Sequence, residues 1–406
     1  MPIKLKVAST AQELNDVFKL RYSVYVLEKK RFRPSMHGDE HIVDQFDAIP
    51  DAVNFIAYSG DSAIATMRLN KDSEIGLPAE EYFDFSKIRD QLNEGYRSGN
   101  TGKPLLGSGS MLAIHKDWRH RRDVIFALFK LAAGVAHDWG VTHGIGSISQ
   151  ETFSLYSKIG FEAIDDPKWN DRVNDTLLPI YVPYQRVFDW TFGDISEEIS
   201  PFWLENFCGQ YERLLLSPGD ILFSQGEKAL NAYAIDEGWI SISRKDDDGN
   251  EMVFAHLSKG ALFGELAILD NEPRSATATA ITNVELVVLE SDRLLEAIRL
   301  HPEKMGELLR HFSKRLRDLD NLAMVQAFAP MGDKMQYALN QLWSSAAIDK
   351  NNPDTRIAKV GVTQIAQLAQ VTEQDVLWML ESEKIKGHLS FGKNFVKFFQ
   401  MPVDNG

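Results

Sequence analysis

A single cysteine, Cys208, stands in a chain of 406 residues. No internal disulfide can form, and no Cys/His spacing resembles a zinc site. Long apolar runs are missing too: no stretch approaches the roughly 18 uninterrupted apolar residues that a membrane helix needs. The opening residues, Met1-Pro2-Ile3-Lys4, turn amphipathic at once, without the apolar core and small-residue cleavage site of a signal peptide. A reducing, cytoplasmic address is the expectation. A basic excess is also absent. The formal net charge is −14 at pH 7, and no segment is globally basic, which weakens a nucleic-acid reading before any motif is considered.

What is present is an ordinary globular balance, 44% apolar and 25% charged, in a chain too long for one hydrophobic core. Two or three domains are expected. The charge is uneven: residues 1–195 carry 23 basic against 27 acidic side chains, residues 196–320 carry 13 against 23, and residues 321–406 carry 8 against 8.

Three textures follow one another. Up to about residue 195, helical periods alternate with short β-rich runs. Gln12–Lys30 places Leu14, Val17, Phe18, Tyr22, Tyr25 and Val26 at helical spacing. Asn54–Tyr58 and Ser62–Leu69 read as a hairpin around Gly60-Asp61, Asp123–Trp139 as a strongly periodic helix, Gly144–Ser149 as a strand and Thr152–Ile159 as a helix. From about 200 to 300, short β runs are punctuated by Gly219, Gly226, Gly238, Gly249, Gly260 and Gly264, the pattern of tight turns in a barrel or jelly roll. Pro302–Ala329 then reads as a long helix, and Gly387–Leu389 with Phe395–Phe399 as a closing pair of strands. Boundaries are expected near Ser196–Pro201 and Ala329–Gly332.

The segment Phe263–Ala280 carries the clearest chemistry. Gly264 lets the backbone turn sharply toward a ligand, and the short helix opening at Leu266 offers N–H groups to an anion. Arg274 supplies a planar guanidinium for phosphate oxygens, with Ser275 beside it. Glu265 next to an anion site is unfavourable unless it accepts from a hydroxyl, as a ribose would provide. This cassette resembles that of the cyclic-nucleotide-binding family, to which the bacterial catabolite activator and protein kinase regulatory subunits belong. The resemblance covers about 205–320, including Ser217–Phe223 and Gly226-Glu227. It implies a ribose contact at Glu265 and phosphate contacts at Arg274 and Ser275, with Gly264 and Leu266 shaping the turn. Positions near the base, around Leu319 and Asp320, do not decide adenine from guanine; cAMP is the expected effector ahead of cGMP.

In the first texture, Leu155-Tyr156-Ser157-Lys158-Ile159-Gly160-Phe161 resembles the end of the core of the GNAT N-acyltransferase superfamily. That resemblance implies a general-acid role for Tyr156 toward a leaving thiolate. Arg119-His120-Arg121-Arg122 leads into the Asp123 helix, where superfamily members place a pyrophosphate-binding loop; Arg119 fits its first position, while Arg122 and Val124 replace its glycines. Leu20–Val26, Asp44–Asp47 and Thr66–Leu69 look like the branch of autoinducer synthases and N-acyl amino acid synthases. Those relatives take acyl chains from acyl carrier protein, so acyl carrier protein and acyl-CoA are both expected donors. The resemblance implies a donor strand including Leu112 and Ile114, a basic donor surface at Lys116, Arg119, Arg121 and Arg122, and an acceptor and acyl site at Arg21, Asp44, Asp47 and Arg68. The strand Ser108–Ile114 lacks the Glu and Arg of lactone-forming relatives. Glu151 is a candidate base, with a water relay as its alternative. Plainer readings stand beside each: Arg119–Arg122 as a solvated helix cap, Tyr156 as a packed aromatic, Asp44 and Asp47 as loop caps. His37 and His41 bracket a polar loop with little to recommend a metal there.

Residues 331–406 look like the winged helix that follows the sensor in catabolite-activator-like regulators. Val362–Ala369 reads as the first helix of a helix-turn-helix, and Thr372 as the cap of the second. That second helix begins with Glu373, Gln374 and Asp375 and carries Glu381 and Glu383 before Lys384. Acidic side chains repel a phosphate backbone and argue against DNA as a partner. The expected fold class is therefore multidomain α/β + β: a GNAT-like mixed α/β domain over 1–195, a β jelly-roll cyclic-nucleotide-binding domain with a long C-terminal helix over 200–329, and a winged-helix-like domain over 330–406. The expected activity is nucleotide-regulated N-acyl transfer to an amine, with a homodimer through the long helix as an option. The alternative is a transcription regulator using the first domain as an accessory sensor.

Overall fold

The structure, a computed structural model, describes residues 2–32, 40–99, 102–192, 212–245, 251–292, 328–349 and 352–402, with scattered positions between 293 and 327. The expected boundary at Ser196–Pro201, Cys208, His37, Leu319, Asp320 and most of the Pro302–Ala329 helix lie outside the described residues. The chain divides into two compact units, Met1–Leu215 and Leu216–Gly406.

The first unit is built on one twisted sheet. Its strands are β1 (Ile3–Val7), β2 (Ala52–Ser59), β3 (Ser62–Lys71), β4 (Leu106–Ile114), β5 (His143–Ser149), β6 (Glu162–Ala163), β7 (Lys168–Asn170) and β8 (Asp175–Pro183). They run in the order β1-β2-β3-β4-β5-β8-β6, with β7 also on β8. Helix α1 (Ala11–Tyr22) starts at Thr10, whose hydroxyl accepts from the Glu13 N–H while Glu13 reaches back, a capping box. The expected Gln12–Lys30 helix is shorter than its period implies: Ser23–Glu28 continues as a π-helical stretch, a form frequent at functional sites. Helix α2 (Ser86–Arg97) was not foreseen, because its apolar positions are sparse and none is buried. Helix α3 (Arg122–Asp138) buries residues nearly all round, from Val124 to Ala136, as a core helix does. The expected Thr152–Ile159 helix is instead three short turns, with α4 (Phe153–Tyr156) in the middle, ended by Gly160 at φ +105. Helix α5 (Tyr184–Phe192) follows, and a further strand, Glu212–Leu216, pairs antiparallel with β1 at Ile3↔Leu215, Lys4↔Leu214 and Leu5↔Arg213.

Two irregularities in the sheet create space. Thr66 pairs with Ala113 but Arg68 with Ser110, so Met111 and Leu112 together oppose Met67. Met111 sits at φ +53 in this bulge. Next to it, the parallel strands β4 and β5 pair at Leu106↔His143 and Gly107↔Gly144 only, although both run on past these positions.

The second unit opens with two antiparallel ladders. Strands β9 (Ile221–Phe223), β11 (Ile240–Lys245), β12 (Glu251–Leu257) and β14 (Thr277–Ala280) form a sheet in the order β9-β14-β11-β12. Strand β10 (Asn231–Glu237) pairs with β13 (Leu262–Phe263) on one side and β15 (Val284–Glu290) on the other. The one-turn helix α6 (Leu266–Leu269) links β13 to β14. Beyond them come α7 (Met331–Ser345), β16 (Ala347–Asp349), β17 (Asn352–Ala358), α8 (Val362–Ala369), α9 (Glu373–Ile385), β18 (Leu389–Gly392) and β19 (Phe395–Phe398), the strands in the order β16-β17-β19-β18. Helices α8 and α9 meet at Gln370 in a left-handed turn, and Thr372 caps α9 with Asp375.

Candidate active site and nucleotide cassette

Two cavities follow from the splayed β4–β5 pair. One, of about 80 Å³, is almost wholly apolar and runs from Gly107 and Gly144 past Phe129, Ala132 and Ala136 of α3 to Tyr156. The other, of about 150 Å³, is polar and includes Tyr25, Lys29, Arg31, Asp44, Arg68, Asp175 and Tyr156. Gly109, Ser110, Leu112 and Tyr156 line both. Glycines keep the apolar cavity open: a Cβ on Gly144 would come within 3.0 Å of Val182, and one on Gly107 within 3.2 Å of Val141.

Tyr156 thus stands at the junction. Its ring is wedged against Phe129 at 5.4 Å and Phe161 at 5.7 Å between centroids. Burial pushes its phenol well above the ordinary range, which keeps the proton on oxygen and suits an acid. Tyr25 approaches from the π-helical stretch, donates to the Leu112 carbonyl at 2.8 Å, and is pushed up to about 12, again chiefly by burial.

Arg21, Asp44, Asp47 and Arg68 come together, as the resemblance implied, but in two layers. Asp47 accepts from Arg21 Nη1 at 3.0 Å with both oxygens and pairs with Arg68 at 2.8 Å. Arg68 also holds Asp44 and donates from Nε to Ser110 at 3.1 Å. Asn54 bridges Arg21 and Asp47. Asp44 and Arg68 face the polar cavity, whereas Arg21 and Asp47 lie behind them, with side-chain exposures of 0% and 2%. The two guanidiniums outweigh burial and hold Asp47 below the usual carboxylate range. The pair in the second layer therefore holds the first in place and lines neither cavity.

Other expected positions fall elsewhere. Glu151 is 65% exposed, paired with Arg31 at 3.1 Å and Lys29 at 3.6 Å, and lines neither cavity. Arg119 pairs with Glu28 and donates to the Ile114 carbonyl, while Arg121 grips Asp123. That leaves Lys116 and Arg122 as the less committed cations of the expected basic surface. Leu112 lines the junction; Ile114 is buried at the end of β4. His41 bonds to Asn15, and among the described residues no cluster could hold a metal. Sequence reasoning missed Tyr25, Lys29, Arg31 and Asp175. Arg31 bonds Ser149 at 3.1 Å and pairs with Asp175 at 2.6 Å, tying the segment after the π-helical stretch to β5 and β8.

In the cassette, Gly264 adopts φ +75, and a Cβ there would stand 2.7 Å from Arg274 Nη1. Glu265 is 1% exposed and Arg274 4%. Arg274 donates to the carbonyls of Gly264 and Asn231, both at 2.5 Å, and its guanidinium lies 4.1 Å above the Phe223 ring. Burial is the main influence on it and lowers its pKa. Leu266 and Ser275 are exposed beside it. The residues fit a cyclic phosphodiester: a turn that only glycine fills, a buried cation and a buried acceptor in one place. Any phosphate held by Arg274 would replace the two carbonyls as its acceptor.

Comparison with known proteins finds two segments of the chain that match known families. Residues 16–182 match the family described as N-acyl amino acid synthase FeeM, and residues 213–301 match the cyclic nucleotide-binding domain. The CRP-like cAMP-activated global transcriptional regulator of Mycobacterium tuberculosis is 30% identical over 148 residues, 36% of this chain and 66% of that protein. The cyclic AMP receptor protein of Thermus thermophilus is 32% identical over 144 residues, 36% of this chain and 67% of that protein. The solved structure of FeeM, an N-acyl amino acid synthase from uncultured soil microbes, is similar at 17% identity, covering 46% of this chain and 93% of that one, with a TM-score of 0.37. Over its nucleotide-binding portion the chain belongs to the cyclic AMP receptor protein family. On its N-terminal side lies the segment that matches the N-acyl amino acid synthase FeeM family. The chain spans just under two thirds of the mycobacterial regulator's length.

Proposed function

We propose that the chain is a GNAT-type N-acyltransferase that moves an acyl group from an acyl carrier protein or coenzyme A thioester to the amine of an amino acid, with cAMP binding in the second unit setting the rate. The observation that carries this reading is the position of Tyr156 where an apolar and a polar cavity meet. The acyl chain lies along α3, the thioester at Gly109, Ser110 and Leu112, and the acceptor in the polar cavity. The amine attacks the thioester carbon, the C–S bond breaks, and Tyr156 gives its proton to the departing thiolate. The β4 bulge takes Met111 and Leu112 out of the β3–β4 ladder beside the reacting carbonyl. Gly264, Glu265, Leu266, Arg274 and Ser275 hold the nucleotide, Arg274 at the phosphate and Glu265 at the ribose. The lone cysteine suits a reducing cytoplasm. Incubating the full chain with dodecanoyl-CoA or dodecanoyl acyl carrier protein and the twenty amino acids, followed by mass spectrometry, is the test. N-dodecanoyl amino acid is expected; its absence with every pair removes the reading.

A second reading, a winged-helix transcription regulator, is favoured by the α8–α9 pair and by the names of the relatives. Against it, the outer side of α9 presents exposed Glu373, Leu377 and Trp378 and no arginine. A cAMP-dependent gel shift with random genomic fragments would support this second reading, and no shift would exclude it.

A further inference from the structure

The reaction needs a group that removes a proton from the acceptor, because an amino acid meets the enzyme as an ammonium and an ammonium cannot attack a thioester. Glu151 is 65% exposed, lines neither cavity and is paired with Arg31 at 3.1 Å. The carboxylates that do line the polar cavity are each committed. Asp44 is gripped by Arg68, Asp175 by Arg31 at 2.6 Å, and Glu81 by Gln45 at 3.1 Å and Arg172 at 3.5 Å. Burial holds the phenols of Tyr25, Tyr82 and Tyr156 in their protonated form. Lys29 differs from all of these. It lines the same cavity as Tyr156 with its side chain 29% exposed, and its carboxylate contact is Glu151 at 3.6 Å, an oxygen that Arg31 also claims at 3.1 Å.

Resting on the acyltransferase reading above, we propose that Lys29 is the catalytic base: its neutral amine takes the proton from the acceptor's ammonium in the polar cavity. The groups facing Lys29 support the assignment. Burial, then Arg31 on its own segment and Arg119 from the loop after β4, disfavour its charged form; Glu151, from the turn after β5, opposes them, and the balance lowers its pKa. The lowered pKa leaves more of the amine unprotonated at a given pH than in an exposed lysine, and the unprotonated amine is the form a base needs. The step balances. The ammonium gives one proton to Lys29 and becomes the attacking amine. The N–C bond forms as the C–S bond breaks, Tyr156 protonates the sulfur, and the second nitrogen proton restores Tyr156. Lys29 returns its proton to water.

The test uses the full chain, dodecanoyl-CoA or dodecanoyl acyl carrier protein, and two kinds of acceptor: the amino acid turned over by the wild type, and hydroxylamine, which is unprotonated near neutral pH and needs no base. Lys29→Met and Lys29→Arg are both compared with the wild type, with the enzyme-free hydroxylamine rate subtracted. General-base loss is expected to lower kcat for the amino acid by roughly 10²–10⁴-fold in both variants, with recovery as pH rises through the acceptor's own ionisation. Hydroxamate formation should stay within about threefold of wild type. Lys29→Arg at full amino acid rate would show that charge alone is needed and overturn the proposal. So would equal losses with both acceptors, which mark a structural role. A wild type inactive with every donor and acceptor removes the acyltransferase reading, and the base with it; an active wild type with unaffected variants removes the base alone.

Discussion

Asp47→Asn is the substitution whose cost follows most directly from the buried charges. In the native unit Asp47 faces two guanidiniums, Arg21 and Arg68, all three with side-chain exposures of 2% or less. Asparagine keeps the shape and one acceptor oxygen but removes the negative charge. Arg68 retains Asp44, whereas Arg21 is left facing neutral acceptors, the Asn54 amide oxygen among them. Breaking a buried pair from one side costs about 3–5 kcal/mol, because an uncompensated charge stays out of water. Asp44→Asn should cost less, since Asp44 is 23% exposed and Asp47 continues to face Arg68. The pH dependence has a definite sign. Asp47 has a depressed folded pKa, so its contribution is full above the unfolded carboxylate value of about 3.9 and fades as pH falls through the folded value. Urea unfolding of the full chain, followed by tryptophan fluorescence at pH values from neutral to acid, measures the gap between wild type and variant. The gap should be largest near neutrality and close in acid. A loss under about 1 kcal/mol at neutral pH, or a gap that widens in acid, would refute the reasoning.

Other substitutions probe the two sites. Tyr156→Phe keeps the ring contacts with Phe129 and Phe161 and should lower kcat by roughly 10²–10⁴-fold with an unchanged Tm, read by product formation and thermal unfolding; a rate near wild type removes the general acid. Gly264→Ala places a methyl 2.7 Å from Arg274 Nη1 at φ +75, and calorimetry should find cAMP affinity reduced by at least about tenfold, the equivalent of one charge-assisted hydrogen bond. Glu151→Gln should change kcat by less than about threefold, because Glu151 is exposed and outside both cavities; a large loss would restore it as the base.

The parts of this chain that were legible in sequence are those written in adjacent residues. Gly264-Glu265 and Arg274-Ser275 sit within one turn-helix-turn, and the Tyr156–Phe161 corner is equally local. Alternation gave the β2–β3 hairpin, and the apolar period gave α3 to within a residue at each end. What escaped depends on distance along the chain. Lys29, Arg31, Asp44, Arg68 and Asp175 share a cavity only because β4 and β5 part after Gly107 and Gly144, and no local pattern announces a splay. Arg21 and Asp47 are 26 residues apart; their types suggested a site, while their place behind Asp44 and Arg68 comes from burial that sequence does not reveal. The π-helical turn at Ser23–Glu28 likewise has no signature, since its apolar spacing is that of the helix before it. Arg119 and Arg121 looked available for a donor and are held by Glu28 and Asp123, partners of which one is local and one comes from 91 residues away.

The joining of an acyl-transfer site and a nucleotide cassette in one chain is the central claim, and one rate measurement addresses it. The initial rate of N-acyl amino acid formation by the full-length protein, with and without saturating cAMP, is compared between wild type and Arg274→Glu. The account predicts that cAMP changes the wild-type rate by roughly 5–150-fold, the usual range of coupling between two sites, and leaves the variant at its basal rate. Equal wild-type rates with and without cAMP, with binding of the nucleotide verified in the same sample, would contradict it.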